Sequence, residues 1–186
     1  MILLRPAVVA DATACAAIER AAFSLRARRT LEADEAGIAA HRKNIARLER
    51  SNGFYLVAVE KTAVLGFAYL LPASARSASR VYRLFIAVGL EHGGRGVGSS
   101  LAAALLAWAH RNERVVKIEV TVHSTNYRVR SLYAKFGFIA EGRLRRRRGA
   151  RDGSVDDITM AYFPMGAANP APSRTRRKRR ATELQP

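Results

Sequence analysis

Cysteine is almost absent from this sequence of 186 residues, in which Cys15 is the single example. One cysteine excludes an intramolecular disulfide and a metal site built from several thiolates. Cys15 lies in the alanine-rich stretch ACAAI, whose spacing favours a helix. We therefore predict that it packs there as a small apolar side chain with no reactive role.

Long apolar runs and a leader-like N-terminus are also missing. The longest apolar stretches, such as residues 101–109, are far shorter than the about 20 residues that cross a bilayer as a helix. The N-terminal segment MILLRPAVVADATAC has no basic stretch ahead of an apolar one and no cleavage signal. With six prolines and 49% hydrophobic residues, the composition is that of one globular domain. We predict a cytoplasmic protein that makes no membrane contact.

Acidic residues are scarce: 15 of them face 32 lysines and arginines, for a net charge of +17. Such a surface attracts polyanions and disfavours polycationic amines. Residues 167–186 hold six basic residues and one acidic residue among proline, serine and alanine, which leaves little to bury. We predict a folded domain over residues 1–166 and a disordered basic tail over 167–186. A solvated tail and a tail that contacts RNA or the ribosome without sequence specificity both fit this composition.

Apolar periodicity and turn residues predict an alternating series of strands and helices. Strands are predicted over residues 1–4, 54–60, 64–71, 81–88, 115–122, 138–144 and 155–163, and helices over 11–23, 31–50, 96–111 and 126–136. The two strands on either side of Lys61 and Thr62 are expected to form an antiparallel hairpin. The predicted fold class is α/β, with a single domain, one mixed sheet of six to seven strands and helices on both faces.

The most informative segment follows the fourth predicted strand. It contains Gly93, Gly94, Gly96 and Gly98, and it opens a helix whose first turn carries two serines. Glycines allow tight turns and close approach to a ligand, and the free N–H groups at a helix start attract an anion. A dinucleotide fold is the obvious rival, but its glycine fingerprint follows the first strand of a βαβ unit. The loop therefore predicts binding of a different phosphate-bearing ligand.

Two blocks of the sequence resemble one known family, the GNAT superfamily of acetyl-CoA-dependent N-acetyltransferases. The first block, VGLEHGGRGVG over residues 88–98, is similar to the family pattern V-x-P-x-x-R/Q-x-x-G-x-G/A. The second block supplies, in the family's order, Glu119, Asn126, Tyr133, Gly137, Phe138, Glu141, Gly142, Gly153, Asp157 and Met160. The likeness covers roughly residues 2–163. Leu90 replaces the common proline and Gly93 the usual arginine or glutamine, so that Arg95 becomes a candidate for the missing positive charge.

The resemblance implies a mostly antiparallel sheet that splays between its fourth and fifth strands, and a binding site for acetyl-CoA. Backbone amides of Ile86, Ala87 and Val88 would hold the pantetheine arm and polarise the acetyl oxygen. The implied pyrophosphate site consists of Gly93, Gly94, Arg95, Gly96, Val97, Gly98 and Ser99. Asn126 would hydrogen-bond the pantetheine amide. No metal is implied, and no two of the four histidines have the helical spacing of a metal site.

Two catalytic residues follow from the same resemblance. Tyr133 would protonate the departing thiolate, since a phenol and a thiol have neighbouring pKa values of about 10 and 8.5. Glu119 is the best-placed carboxylate for a general base, since it projects from the strand face opposite Ile118 and Val120, and deprotonation through water or another residue also fits. Each residue has a competing structural role: Tyr133 fits core packing, Glu119 fits a salt bridge with Lys117 or an arginine, and Asn126 fits a helix N-cap.

The predicted function is transfer of an acetyl group from acetyl-CoA to a primary amine, by direct attack through a tetrahedral intermediate. The pattern is most similar to bacterial enzymes that acetylate amino acids or protein N-termini, so an amino acid, another small molecule or a protein N-terminus is the expected acceptor. Glu32, Asp34 and Glu35 open the second predicted helix, where they either line the acceptor site or complement the helix dipole.

A different class of function also fits the sequence. It is a weakly catalytic acyl-CoA-binding module that associates with RNA or ribosomes through the basic tail. The sequence favours neither a monomer nor a homodimer.

Overall fold

Seven strands and four α-helices make up the computed structural model, which describes residues 1–27, 35–48, 53–74, 80–150 and 153–164. The strands are β1 (Leu3–Pro6), β2 (Phe54–Glu60), β3 (Ala63–Pro72), β4 (Val81–Val88), β5 (Lys117–His123), β6 (Ile139–Ala150) and β7 (Gly153–Tyr162). The helices are α1 (Ala12–Ala27), α2 (Glu35–Leu48), α3 (Val97–His110) and α4 (Tyr127–Lys135). Among these described helices, none combines the length and the apolar character needed to cross a membrane.

One sheet contains all seven described strands, in the order β1-β2-β3-β4-β5-β7-β6. The central neighbours β4 and β5 run parallel, and the other neighbouring pairs run antiparallel. The predicted hairpin of β2 and β3 is present and turns at Lys61, whose φ is 56°. The sheet is therefore mixed and mostly antiparallel, as the sequence predicts.

The sheet opens between β4 and β5. Their parallel pairing is confined to residues 81–83 of β4 with residues 117–119 of β5, and it ends at Arg83 and Glu119. β4 nevertheless continues to Val88, which is still paired with Gly66 of β3. We call the opening between residues 84–88 of β4 and 120–123 of β5 the cleft. The predicted splay between the fourth and fifth strands is confirmed.

Side chains alternate between the two faces of the sheet, and each face is covered by helices. On one side, called the α3 face, strand residues such as Leu84 and Ile118 pack with Leu101 and Leu105 of α3. On the other side, called the α1 face, strand residues including Phe67 pack with helical residues such as Cys15 of α1 and Ile45 of α2. The cleft is thus the place where the two faces meet.

Boundaries differ from the predictions where strand pairing decides them. β1 is displaced from the predicted residues 1–4 because its register runs from Leu3 with Val59 to Pro6 with Leu56. β6 continues beyond the predicted end at residue 144, through the arginine run, because it stays paired with β7 as far as Ala150 and Gly153. The predicted acidic helix start at Glu32 and Asp34, and the predicted tail over 167–186, lie outside the described residues.

Candidate active site

The glycine loop, residues 89–96, connects β4 to α3 and has two positions that only glycine adopts without strain. Gly94 and Gly96 have φ values of 86° and 81°, in the left-handed region. Gly96 is also the N-cap residue of α3. Gly93 differs, because its φ of −62° and ψ of 139° suit any residue. The backbone therefore requires glycine at positions 94 and 96 but not at position 93.

The start of α3 offers unpaired backbone donors beside the cleft. Ser100 N–H makes an early helical bond to the Gly96 carbonyl at 3.0 Å, and the N–H groups that precede it have no intrahelical acceptor. The first turn of α3 carries no acidic residue. A Cβ placed on Gly98 would lie 3.6 Å from Val88 Cγ2 and 3.8 Å from Leu132 Cδ2. These distances place the start of α3 next to the end of β4 and next to α4, and its free N–H groups are suited to an anion.

The end of β4 presents backbone to the cleft. Ile86, Ala87 and Val88 pair along one edge with β3. Their other edge faces the cleft, since both β4 and β5 are fully described and their pairing ends at Arg83. Alternate N–H groups of this segment are therefore directed away from β3 and are available to a ligand.

Tyr133 lies in α4 and is buried in the core of the α3 face. Its side chain is 3% exposed and packs against Phe138 with ring centroids 5.1 Å apart. Burial raises the pKa of its hydroxyl, which therefore keeps its proton at neutral pH. The competing role in core packing is present, and a proton-bearing phenol is also the form that a general acid needs.

Asn126 is the N-cap of α4, as one of its two proposed roles requires. Its Oδ1 accepts a hydrogen bond from Val129 N–H at 3.3 Å. This bond fixes the side chain at the start of the helix that carries Tyr133. The contact with a pantetheine amide stays a prediction.

Glu119 lies on the opposite side of the sheet from Tyr133. Its neighbours Ile118 and Val120 point into the core of the α3 face, so Glu119 projects from the α1 face. Lys117 Nζ contacts Glu119 Oε1 at 2.9 Å and Glu141 Oε2 at 2.8 Å. Although partial burial opposes the charged form, the two carboxylates raise the pKa of Lys117. The salt bridge foreseen as the competing role is present, and the role of Glu119 as a base stays a prediction.

Comparison with known families settles the class of this protein. The family described as acetyltransferase (GNAT) family matches residues 22–138, which is more than half of the chain. The chain belongs to the GNAT acetyltransferase family. Among curated protein sequences, this GNAT chain has no match.

Solved structures of other GNAT proteins share the fold. An N-acetyltransferase from Staphylococcus aureus Mu50 is 21% identical, with a TM-score of 0.77 over 88% of this chain and 99% of that one. A ribosomal-protein-alanine N-acetyltransferase from Brucella melitensis is 24% identical, with a TM-score of 0.74 over 87% and 99%. A phosphinothricin acetyltransferase from Sinorhizobium meliloti, in complex with acetyl-CoA, is 22% identical, with a TM-score of 0.75 over 90% and 91%. These similarities establish the GNAT fold of this chain.

Arg95 of this GNAT chain has a carboxylate partner. Its Nη2 donates to both carboxylate oxygens of Glu60 at 2.9 Å, and its Nη1 lies 3.4 Å from His92 Nδ1. The hydrogen bonds from Arg95 lower the pKa of the Glu60 carboxyl. The guanidinium is thus held by the end of β2, and its contact with a phosphate stays a prediction.

Sequence reasoning missed Arg128, in the first turn of α4, which lies beside the glycine loop of this GNAT chain. A Cβ on Gly93 would be 3.7 Å from its Nη1, and a Cβ on Gly94 would be 3.7 Å from its Nη2. The only signal in the sequence is its position two residues after Asn126, which places it at the start of the same helix.

A buried polar array on the α1 face of the GNAT chain was also missed. His41 Nδ1 lies 2.7 Å from the Tyr55 hydroxyl, and His41 Nε2 lies 2.7 Å from Glu19 Oε2. The three residues belong to α2, β2 and α1, so no local pattern connects them. Cys15 is fully buried nearby, and burial raises the pKa of its thiol to about 12. The prediction that this cysteine is a packing residue is confirmed.

Proposed function

We propose that this GNAT chain transfers the acetyl group of acetyl-CoA to a primary amine. The observation that supports the proposal is the cleft, where the sheet opens beyond Arg83 and Glu119 and leaves the free backbone edge of residues 84–88 leading into the start of α3. Tyr133 lies on the α3 face and Glu119 on the α1 face. A thioester in the cleft would be open to a proton donor from one face and to an amine from the other.

The donor molecule would bind through backbone more than through side chains. The N–H groups of Gly94 to Ser99 would receive the pyrophosphate, because the start of α3 is positive and has no acidic residue in its first turn. The free edge of Ile86, Ala87 and Val88 would pair with the pantetheine arm, and one N–H would stabilise the oxyanion of the tetrahedral intermediate. Asn126 would fix the arm relative to Tyr133.

The reaction requires two proton transfers, which we assign to residues on opposite faces of the sheet. The amine nitrogen attacks the thioester carbonyl, a C–N bond forms, and the C–S bond then breaks. Tyr133 would give its proton to the departing sulfur, and its raised pKa ensures that the proton is present at neutral pH. Glu119, directly or through water, would accept the proton that the amine loses. The Lys117 ammonium, 2.9 Å from Glu119 Oε1, would hold the carboxylate in place between turnovers.

The acceptor would reach the cleft from the α1 face. Tyr69 and Phe85 stack there with ring centroids 5.1 Å apart, and Phe85 is in the part of β4 that borders the cleft. These two aromatic rings, with the Glu119 carboxylate on the same face of the sheet, suit an amine attached to a small apolar group, as in an amino acid or a protein N-terminus. The large excess of positive charge disfavours polycationic amines as acceptors.

The test is release of coenzyme A from acetyl-CoA, measured with a panel of free amino acids, peptides with different N-terminal residues, and ribosomal proteins. We expect acetyl-CoA-dependent turnover with at least one amino-acid or peptide amine, and mass spectrometry should place the acetyl group on the α-amine. Binding of acetyl-CoA without turnover on any of these amines would instead favour the acyl-CoA-binding module.

A further inference from the structure

The space beside Gly93 is occupied by a side chain from another element. A Cβ placed on Gly93 would lie 3.7 Å from Nη1 of Arg128 and 3.9 Å from its Nη2, and one on Gly94 would lie 3.7 Å from Nη2. Position 93 is where the resemblance leads us to expect an arginine or a glutamine. The fold therefore brings a guanidinium from α4 to the position that the loop itself leaves without a side chain.

Other arginines around the loop are already engaged. Arg95 is paired with Glu60, and Arg130 donates to the Ser124 carbonyl while its guanidinium lies 5.6 Å from the centre of the Tyr127 ring. Arg128 is exposed, and within the described ranges no acidic side chain forms an ion pair with it. Its charge is available to a ligand.

The local field is unfavourable to a cation unless an anion is bound. Arg128 lies in the first turn of α4 and beside the loop that leads into α3, and neither helix has an acidic residue in its first turn. Both helix starts carry partial positive charge, which repels a guanidinium and attracts an anion. The planar guanidinium also presents paired N–H donors that match two phosphate oxygens. The Arg128 guanidinium therefore lies beside the loop that leads into the positive end of α3.

We propose that Arg128 binds the pyrophosphate of acetyl-CoA. It would make the phosphate contact that an arginine or glutamine side chain at position 93 would otherwise make. The inference rests on the proposed function, because it names a binding residue for that cofactor. It assigns the cationic contact to α4 rather than to the loop, because the Arg95 guanidinium is paired with Glu60.

The test compares three ligands in wild type and Arg128→Ala. Calorimetric titration with coenzyme A should give a dissociation constant about 10- to 100-fold higher for the variant, as expected for loss of a charge-assisted contact. 3′-Dephospho-coenzyme A keeps the pyrophosphate and should show the same fold loss. S-acetylpantetheine has no phosphate, and its kcat/KM as an acetyl donor should be unchanged. Lys135→Ala, which removes one positive charge from the last turn of the same helix, is the matched control, with an expected change of about twofold or less.

A second variant restores the contact from the loop. Gly93 has a backbone conformation open to any residue, and a Cβ there meets the Leu90 carbonyl oxygen at 3.3 Å, which requires only a small shift. Gly93→Arg added to Arg128→Ala should recover at least about tenfold of the lost affinity. In the wild-type background the same substitution brings two guanidinium groups together and should give no gain.

Three results would overturn the assignment. They are an unchanged affinity for coenzyme A in Arg128→Ala, an equal loss with S-acetylpantetheine, and a loss with coenzyme A that spares the dephospho form. The last of these would assign Arg128 to the 3′-phosphate. Failure of wild type to bind coenzyme A would reject the proposed function as well, and the wild-type titration alone identifies that case.

Discussion

The two faces of the sheet approach the cleft with different chemistry. The α3 face offers backbone N–H groups of the glycine loop and helix α3, together with Arg128 and the buried Tyr133. The α1 face offers carboxylates, a buried histidine and stacked aromatic rings drawn from several elements. The first set consists mostly of backbone donors, which do not depend on side-chain identity. It suits a cofactor whose phosphates do not change from one acceptor to another. The second set consists of side chains that can change residue by residue, which is why we propose that the α1 face selects the acceptor.

Tyr133→Phe tests the α3 face and should have the largest effect. Removal of the hydroxyl eliminates the proposed proton donor but keeps the ring that packs against Phe138. We expect kcat to fall by about 10³-fold with little change in the KM for acetyl-CoA. Steady-state kinetics and a thermal unfolding curve measure the two effects separately. A fully active variant would reduce Tyr133 to a packing residue.

Glu119→Gln tests the α1 face. We expect kcat/KM for the amine to fall by about 100-fold at neutral pH, and less at high pH, where the amine has already lost its proton. Lys117→Met is the matched control, because it breaks the same ion pair but keeps the carboxylate. Equal losses of kcat/KM in the two variants would show that activity depends on the ion pair and not on proton transfer to Glu119.

His41→Ala asks whether the polar array on the α1 face is structural. The substitution leaves a cavity and removes the partner of the Tyr55 hydroxyl, so the free energy of unfolding should fall by about 2–3 kcal/mol. Urea unfolding gives this value. Lost acetyl transfer at unchanged stability would contradict the structural role and connect the array with the acceptor.

Asp11→Asn should have the smallest effect, because the Arg5–Asp11 pair lies beside the start of α1 and away from the cleft. Asp11 accepts bonds from Arg5 at 2.7 and 2.8 Å and from Val8 N–H at 2.8 Å. Burial alone would raise its pKa, but these bonds lower it below 3.8. The ion pair contributes about 1 kcal/mol to the free energy of unfolding. This contribution is present above pH 3.8, and it is lost as the pH falls through the lower pKa that Asp11 has in the folded protein.

The free energies of unfolding of Asp11→Asn and wild type, taken from unfolding curves, should accordingly differ at pH 7 and become equal in strong acid. A difference that is independent of pH would mean that the asparagine disturbs packing instead. Activity should be the same in both proteins.

The sequence predicted a structural feature correctly where that feature depends on a single segment of the chain. β4 begins and ends as predicted, because its apolar run ends at a glycine loop. The N-cap role of Asn126 was also visible, since the side chain bonds to the N–H of Val129 within the same turn. The end of β6 was harder to predict. Residues 145–150 read RRRRGA and show no alternation of apolar and polar residues, so only the pairing with β7 reveals that the strand continues to Ala150.

The sequence by itself determined the family, the glycine loop and the order of strands and helices, because each depends on residues close together in the chain. The tertiary structure alone decided which side chains share a site. It engaged Arg95 with Glu60, brought Arg128 from α4 to Gly93, and joined Glu19, His41 and Tyr55 from three elements. Contacts of this kind depend on how helices pack on the two faces of a split sheet, and no spacing within one segment encodes that packing.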